Sequence, residues 1–269
     1  MARAGCTRPR RSLGQNFLID ANLQRKIVRA LGAGPADEVL EIGPGRGALT
    51  RHLVGEVERL VLVELDDDLA ASLESEYGHR PDVEILHGDV LDVPIEQHVS
   101  DPTALKVIGN IPFNITTPII FRLLERPRPR EIVLMVQDDV ADRIVAPVGT
   151  KAYGALSVGV RSIATAERRF KVGRQAFRPV PGVEAAIIRI TPFRPERLSQ
   201  DEETRLRALV RAAFQWRRKQ LGKTLRDHPD LKHDAEAVDT AAAAAGISLK
   251  DRPERLSPEE FLLLAVALP

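Results

Sequence analysis

The sequence predicts an α/β protein in which helices cover both faces of a parallel sheet, followed by a small all-α domain. Short apolar runs rich in β-branched residues alternate with helical segments every few tens of residues, which is typical of strands joined by crossover helices. A proline-rich break at residues 191–195 separates this alternation from a region of helical periodicity. We therefore expect one domain over residues 1–195 and a helical domain over residues 196–269.

Periodicity and turn residues predict the elements of the first domain. A helix is expected at residues 20–31, with Asp20 as its N-cap and Gly32 as its stop. Strands are expected at residues 39–42, 59–64, 83–86, 106–108 and 131–137, and helices at residues 48–54, 68–77 and 118–124. Two later runs, residues 167–172 and 183–190, are expected to form an antiparallel pair joined by a proline-rich loop.

The second domain is predicted to be helical throughout. Helices are expected at residues 201–214, over the basic run that follows, and at the alanine-rich residues 235–245. Ser257, Pro258 and the acidic pair at residues 259–260 form the start signal of a last helix.

Composition excludes several classes of protein. With 43% hydrophobic and 29% charged residues, the 269-residue chain has the balance of an ordinary globular protein. No apolar run approaches the roughly 20 residues of a membrane span, and no apolar segment follows the N-terminal arginines, so neither a span nor a secretory signal is expected. Cys6 is the single cysteine, which cannot form a disulfide framework or a metal site and fits a reducing cytoplasm.

A net charge of +1 conceals a strong segregation of charge along the chain. Residues 160–226 contain seventeen Lys or Arg against six Asp or Glu, a local net charge of +11. Residues 1–12 add four arginines and no acid, which suggests either a flexible basic arm or a solubilising terminus. This segregation predicts a polyanionic partner.

A glycine-rich loop follows the first long strand and opens the next predicted helix. Residues 41–48 carry three glycines, which permit a tight turn and let a ligand approach the backbone. Glu64 ends the next strand, where its carboxylate could accept both hydroxyls of an adenosine ribose. These features alone fit either a nicotinamide cofactor or S-adenosylmethionine. Pro44 and Arg46 alter the glycine spacing that serves a pyrophosphate, and Asp89 offers a carboxylate to an adenine amine, so S-adenosylmethionine is favoured.

The motif Asn110-Ile111-Pro112-Phe113 lies at the end of a predicted strand. The exocyclic amine of a nucleobase is a poor nucleophile because its lone pair is delocalised into the ring. The side-chain carbonyl of Asn110 and the main-chain carbonyl of Ile111 could accept hydrogen bonds from the two N–H groups of this amine. Pro112 would stiffen the turn, and Phe113 would offer a stacking face to an extruded base. Alone, the motif also fits a plain turn after a buried strand; with the upstream loop and carboxylates, it predicts a Rossmann-like methyltransferase.

With these motifs in order, the chain resembles the KsgA-type small-subunit ribosomal RNA adenine dimethyltransferases. The resemblance covers most of the length, and the ordered set of blocks is specific where any one block is weak. The blocks are residues 14–18, 41–50, 63–66, 88–91, 109–114, 140–143, 151–157, 177–183 and 213–219.

The resemblance implies an S-adenosylmethionine-dependent enzyme that dimethylates N6 of two adjacent adenines near the 3′ end of 16S rRNA in the immature small ribosomal subunit. It implies donor contacts at Asn16, Leu18, Gly43, Glu64, Asp89 and Asn110. Amine alignment and stacking are expected from Asn110, Ile111, Pro112 and Phe113, and contacts to the RNA from Phe177, Arg217, Arg218, Lys219 and Lys223. Phe177 is expected either to sandwich the base or to anchor its loop as a core aromatic. A monomer is expected by default.

Departures from the family pattern leave alternatives open. The amine-binding motif of the family more often reads Asn-Leu-Pro-Tyr, and Phe at the position of Phe113 is shared with Erm enzymes, which methylate an adenine of 23S rRNA. An Erm-like activity is therefore the nearest alternative, and a non-catalytic RNA-binding assembly factor is another. A nicotinamide-dependent oxidoreductase is disfavoured because neither of the two tyrosines is placed for hydride transfer. Gln215-Trp216 and the inserted residues 220–222 flank the basic run and leave its RNA contacts open.

Overall fold

The computed structural model describes residues 15–268, so Cys6 and the N-terminal arginines lie outside the described residues. The chain divides into two units. The first contains described residues 15–141 and 167–192, and the second contains residues 142–166 and 193–268.

This division differs from the single boundary predicted at residue 195, because residues 142–166 group with the C-terminal helices. The physical reason is burial. Tyr153 is fully buried and donates its hydroxyl hydrogen to the carbonyl of Leu256 at 2.7 Å, and Val158 belongs to the apolar cluster of the same unit. A local reading of hydrophobic periodicity cannot show which core a segment joins.

Nine strands are present among the described residues. They are β1 (Phe17–Leu18), β2 (Glu38–Ile42), β3 (Arg59–Glu64), β4 (Val83–His87), β5 (Lys106–Asn110), β6 (Glu131–Gln137), β7 (Ala164–Val172), β8 (Phe177–Arg178) and β9 (Ala185–Pro192). Seven of them form one sheet in the order β4-β3-β2-β5-β6-β9-β7, in which the first five strands are parallel and β9 is antiparallel to β6. β7 and β9 are neighbours, as predicted, and β1 pairs with β8 in a separate antiparallel ribbon.

Nine α-helices connect and follow these strands within residues 15–268. They are α1 (Ala21–Leu31), α2 (Asp67–Tyr77), α3 (Thr116–Leu123), α4 (Asp138–Val145), α5 (Ala155–Arg161), α6 (Gln200–Gln215), α7 (Leu221–Asp227), α8 (Ala235–Ala245) and α9 (Pro258–Ala267). The predicted start signals are confirmed: Asp20 caps α1, and Ser257 forms a capping box with Glu260 at α9. None of these helices is both long and apolar enough to cross a membrane.

The helix predicted at residues 48–54 is wrong, because only a 3₁₀ turn over Thr50–His52 is formed there. The segment lies between Gly47 and Gly55, whose φ angles of 69° and 77° are both left-handed. Too few residues separate these two breaks for an α-helix to propagate. The turn instead closes through short-range bonds, such as the N–H of Leu53 to the carbonyl of Thr50 at 2.9 Å.

Register places three functional strand ends side by side. Ile42 at the end of β2 pairs with Val63 of β3 on one side and with Gly109 of β5 on the other. The next residues along each strand are therefore brought to the same edge of the sheet. This is the carboxyl edge, where ligands bind in open parallel α/β sheets.

Candidate active site

A cavity of about 320 Å³ opens at the carboxyl ends of β2, β3 and β5. Its lining includes residues from the glycine loop, from the end of β3, from the segment around β1 and from the motif after β5. Among them are the predicted site residues Asn16, Leu18, Gly43, Glu64, Asn110, Ile111, Pro112 and Phe113. Residues that are 94 positions apart in sequence, such as Asn16 and Asn110, thus line one cavity.

The glycine loop adopts a backbone that side chains resist. Gly43, Gly45 and Gly47 have φ angles of 64°, 60° and 69°. A Cβ on Gly43 would lie 3.6 Å from the main-chain carbonyl of Asn110, and one on Gly45 would lie 3.5 Å from the ring of Phe17. The loop is therefore a cradle whose open face a side chain would fill, which fits close approach of a ligand to its backbone.

Glu64 is held rigidly at the end of β3. Its side chain is 6% exposed, with Oε2 accepting the N–H of Gly45 at 2.9 Å and Oε1 accepting the N–H of Asp66 at 3.0 Å. Burial raises the pKa of Glu64 above its ordinary value, although these two hydrogen bonds oppose the rise. The loop and the carboxylate thus hold each other in place.

Glu41 is a site residue to which the sequence patterns assigned no role. It lines the same cavity, is 1% exposed, and accepts a hydrogen bond from the Thr50 hydroxyl at 2.7 Å. Burial raises its pKa to about 8; the bond from Thr50 lowers the pKa, and the nearby charge of Glu64 raises it. A strand residue that points inward beside a glycine loop could have been suspected from its period-two position, but its protonation required the three-dimensional surroundings.

Asn110 is oriented by a main-chain acceptor. Its Nδ2 donates to the carbonyl of Asn16 at 3.3 Å. Because a carbonyl only accepts, the amide nitrogen must face Asn16, and the amide oxygen Oδ1 is left for another donor. Asn16 immediately precedes β1, whose Phe17 and Leu18 pair with Arg178 and Phe177 of β8. The β1–β8 ribbon therefore fixes the orientation of the Asn110 amide.

The three residues after Asn110 differ in exposure. Ile111 lines the cavity although it is only 1% exposed, so its side chain is an anchor. Pro112 and Phe113 are partly exposed and line the cavity, and Phe113 packs one side against the apolar cluster of the first unit. A 3₁₀ turn over Phe113–Ile115 follows and leads into α3.

Asp89 does not line this cavity, in contrast to the other predicted donor contacts. It follows β4, and the N–H of the adjacent Gly88 donates to the carbonyl of Glu64 at 2.9 Å. Its Oδ1 accepts the N–H of Leu91 at 2.9 Å. The residue is thus next to the end of β3, but its carboxylate caps its own turn.

The prediction that Phe177 could stack on a base is wrong. Its side chain is 0% exposed and belongs to the apolar cluster of the first unit. The alternative prediction, a core aromatic that anchors the proline-rich loop, is the one that the structure bears out. Phe177 anchors β8, and through the pairing with Leu18 it anchors β1.

The predicted RNA-contacting cations all lie in the second unit, and their surroundings differ. The expected basic helix is in part a turn, because residues 216–219 lie between the end of α6 and the start of α7. Arg218, Lys219 and Lys223 are exposed. Arg217 instead donates to the carbonyls of Thr150 at 3.3 Å and Lys151 at 3.2 Å, so its guanidinium is already bound within the unit.

Comparison with known proteins decides the family. The model of a family described as ribosomal RNA adenine dimethylase matches residues 7–267. The chain belongs to the ribosomal RNA adenine dimethylase family. Its curated relatives include ribosomal RNA small subunit methyltransferase A of Chlorobium chlorochromatii, 41% identical over 95% of this chain and 92% of the relative. The protein of the same name from Geobacter metallireducens is 38% identical over 97% and 96% of the two chains.

Solved structures support the same fold. The crystal structure of the 23S rRNA methyltransferase ErmE matches with a TM-score of 0.71 and 28% identity, over 94% of this chain and 99% of that one. A dimethyladenosine transferase from Plasmodium falciparum matches with a TM-score of 0.77 and 24% identity, over 92% and 95% of the chains. The protein is thus an enzyme of the ribosomal RNA adenine dimethylase family, with a Rossmann-like methyltransferase domain and C-terminal helices, as the sequence predicted.

Proposed function

We propose that this protein transfers methyl groups from S-adenosylmethionine to N6 of two adjacent adenines near the 3′ end of 16S rRNA, two on each base. The substrate is the immature small ribosomal subunit, which places the protein in the cytoplasm, where it acts as a monomer. The observation that carries the proposal is the single cavity shared by the glycine loop, Glu64 and the motif from Asn110 to Phe113. The names of the curated relatives support the small subunit as the substrate.

The donor half of the cavity fits a nucleoside with a cationic side arm. The glycine cradle accepts an atom where a Cβ would otherwise lie, Glu64 offers acceptors to ribose hydroxyls, and Glu41 supplies a buried carboxyl group. Asn16 and Leu18 close the cavity from the β1 side. Asp89 accepts the N–H of Leu91 through Oδ1, and its second oxygen, Oδ2, is the atom we assign to an adenine amine. When bound, S-adenosylmethionine supplies a methyl group on a positively charged sulfur.

The acceptor half aligns the amine. With its nitrogen held by the Asn16 carbonyl, the Asn110 amide turns Oδ1 towards a substrate N–H, and the Ile111 carbonyl accepts the second. Two accepted hydrogen bonds favour a pyramidal nitrogen whose lone pair is free to attack. Phe113 stacks on the extruded base, and Pro112 keeps the two carbonyls in register. The amine proton leaves to solvent after transfer, so no residue need act as a strong base.

An Erm-like activity on 23S rRNA is the second candidate. The observation that favours it is the 28% identity to ErmE over almost the whole chain, together with a Phe at position 113. The higher identity of the small-subunit relatives, 38–41%, favours the first candidate.

The test is methyl transfer from tritiated S-adenosylmethionine to purified unmethylated 30S particles, with 50S precursors and naked 23S rRNA in parallel. Label on two neighbouring adenines of 16S rRNA, lost in Asn110→Ala, is the expected result. Label on 23S rRNA alone would make the enzyme Erm-like. Donor binding without label on any RNA would leave only a binding factor and would contradict the proposal.

A further inference from the structure

Trp216 ends α6 and opens the basic turn, and its packing leaves it out of the core. It is partly exposed, and within residues 15–268 it does not belong to the apolar cluster of the second unit, although Phe214 two residues earlier packs against that cluster. Within residues 15–268, its indole N–H forms no hydrogen bond to the protein. A partly exposed tryptophan outside the core has ring area and an N–H that a ligand can contact.

The indole is held in place by a buried histidine. His228 is 4% exposed and meets the ring of Trp216 edge-on, with centroids 5.0 Å apart and planes at 61°. The N–H of Asp230 donates to His228 Nδ1 at 3.2 Å, so Nδ1 is the acceptor and the ring hydrogen is on Nε2. That hydrogen is donated to Gln215 Oε1 at 2.9 Å. Both ring nitrogens of the histidine are thus hydrogen-bonded, and the ring is a fixed support for the indole.

The turn that carries Trp216 is fixed at both ends. On one side, the main-chain N–H of Trp216 donates to the carbonyl of Ala212 at 3.1 Å and caps the end of α6. On the other side, α7 begins at the fully buried Leu221, whose N–H donates to Asp251 at 2.8 Å. Gly222 lies so close to Leu249 that a Cβ there would be 3.3 Å from its carbonyl oxygen. The inserted residues 220–222 therefore anchor the turn at the start of α7.

Cations flank the indole and are free to different degrees. Arg218 and Lys219 are exposed within the turn, and the Lys223 side chain is 57% exposed on α7, where its Nζ lies 4.0 Å from Oδ2 of Asp227. Arg217 is committed to main-chain carbonyls, so it braces the turn instead of meeting a ligand. A fixed aromatic ring beside exposed cations matches an unpaired nucleotide, whose base stacks while its phosphates meet the charges.

We propose that Trp216 is a stacking face for one unpaired base of the RNA substrate, with Arg218 and Lys219 holding the flanking phosphates. This rests on the proposed function in that the natural ligand is ribosomal RNA. The cations of this surface would contact phosphates whatever the bases are, whereas the indole of Trp216 adds a contact to a base. An acidic protein segment would use the cations but would have no reason to engage the indole.

The chain has one tryptophan, so selective excitation of tryptophan fluorescence reports on Trp216 alone. The probe is a short single-stranded oligoribonucleotide, and its matched control is an abasic oligoribonucleotide with the same phosphates. Quenching by the first and not by the second is the expected result. Equal quenching by the abasic chain, or by polyglutamate, would show that only negative charge is sensed and would overturn the proposal.

Variants separate stacking from charge in the full-length protein. Trp216→Leu should weaken binding of a labelled oligoribonucleotide roughly ten-fold without changing the salt dependence, whereas Trp216→Phe keeps an aromatic face and should recover most of the loss. Arg218→Ala should instead reduce the slope of the logarithm of the binding constant against the logarithm of salt concentration by about one. Unchanged affinity in a folded Trp216→Leu protein would contradict stacking.

A catalytic variant keeps this outcome apart from the proposed methylation. Asn110→Ala should abolish methyl transfer and leave the base-dependent quenching of Trp216 intact. If the wild-type protein shows base-dependent quenching but methylates no RNA, the proposed function fails while the stacking face stands. If it methylates small-subunit RNA with no quenching, the stacking proposal alone fails.

Discussion

Glu41 gives the sharpest prediction about stability because it is a carboxyl group buried beside a second one. Its pKa is raised by burial from 4.5 to about 8 in the folded protein. The folded state then holds a proton that the unfolded chain has lost over this interval. Stability from this group is fully present below pH 4.5 and is lost as pH rises to about 8. Glu41→Gln is neutral at every pH, and its amide oxygen can still accept the hydrogen bond from Thr50.

The size of the effect follows from the shift in pKa. Each pKa unit corresponds to about 1.4 kcal/mol. The unfolding free energy of Glu41→Gln should therefore rise relative to that of the wild-type protein by about 1.4 kcal/mol per pH unit between pH 4.5 and about 8. The gain is roughly 3 kcal/mol at neutral pH and about 5 kcal/mol above pH 8. Urea denaturation at a series of pH values measures it, with the exposed residue Glu56 changed to Gln as the matched control. A difference in unfolding free energy that does not vary with pH would show that burial does not raise the pKa of Glu41.

The same carboxyl group predicts proton release when a cationic ligand binds. S-adenosylhomocysteine carries an ammonium group, and a positive charge in the cavity favours the ionised form of Glu41. Near neutral pH its binding should release up to about one proton, measured as a dependence of the calorimetric enthalpy on the ionisation enthalpy of the buffer. Glu41→Gln should remove this dependence. Release of the same number of protons by that variant would place the titrating group elsewhere.

Three further substitutions test the architecture of the two units. Gly109→Ala should cost about 1–3 kcal/mol of unfolding free energy and slow methyl transfer, because its Cβ would lie 2.9 Å from the carbonyl oxygen of Ile42. Urea denaturation measures the cost, and Gly173→Ala is the control because open space surrounds that position. Phe177→Ala should cost about 3–5 kcal/mol, and a stable variant with only weaker RNA binding would restore a stacking role. Arg217→Ala should lower Tm and leave the salt dependence of RNA binding unchanged, whereas a smaller salt slope would make it a phosphate contact.

Much of the first unit was predictable because strand order and ligand chemistry leave local traces. The strands ending near Ile42, Glu64 and Asn110 are apolar runs bounded by glycine or polar residues, and parallel pairing then brings their ends together. Asp20 and Ser257 could be identified as N-caps from the sequence because capping depends on a few neighbouring residues. These features needed no knowledge of distant contacts.

The helix predicted at residues 48–54 fails for a local reason, the two glycines that flank it, whereas the other errors depend on distant parts of the chain. Phe177 looked available in a proline-rich loop, but pairing of β8 with β1 buries it. The turn after Gln215 looked like a basic helix until the anchoring of Leu221 against Asp251 was known. The protonation of Glu41 likewise depends on the surfaces that bury it, which no local pattern records.

We propose that the motif from Asn110 to Phe113 directs methyl groups to adjacent adenines of small-subunit RNA. The most direct measurement is mass spectrometry of the 3′-terminal fragment of 16S rRNA after reaction of unmethylated 30S particles with S-adenosylmethionine. We expect a pair of neighbouring N6,N6-dimethyladenines with the wild-type protein and none with Asn110→Ala. An unmodified fragment with the wild-type protein would contradict this proposal. So would an undiminished amount of dimethyladenine with Asn110→Ala.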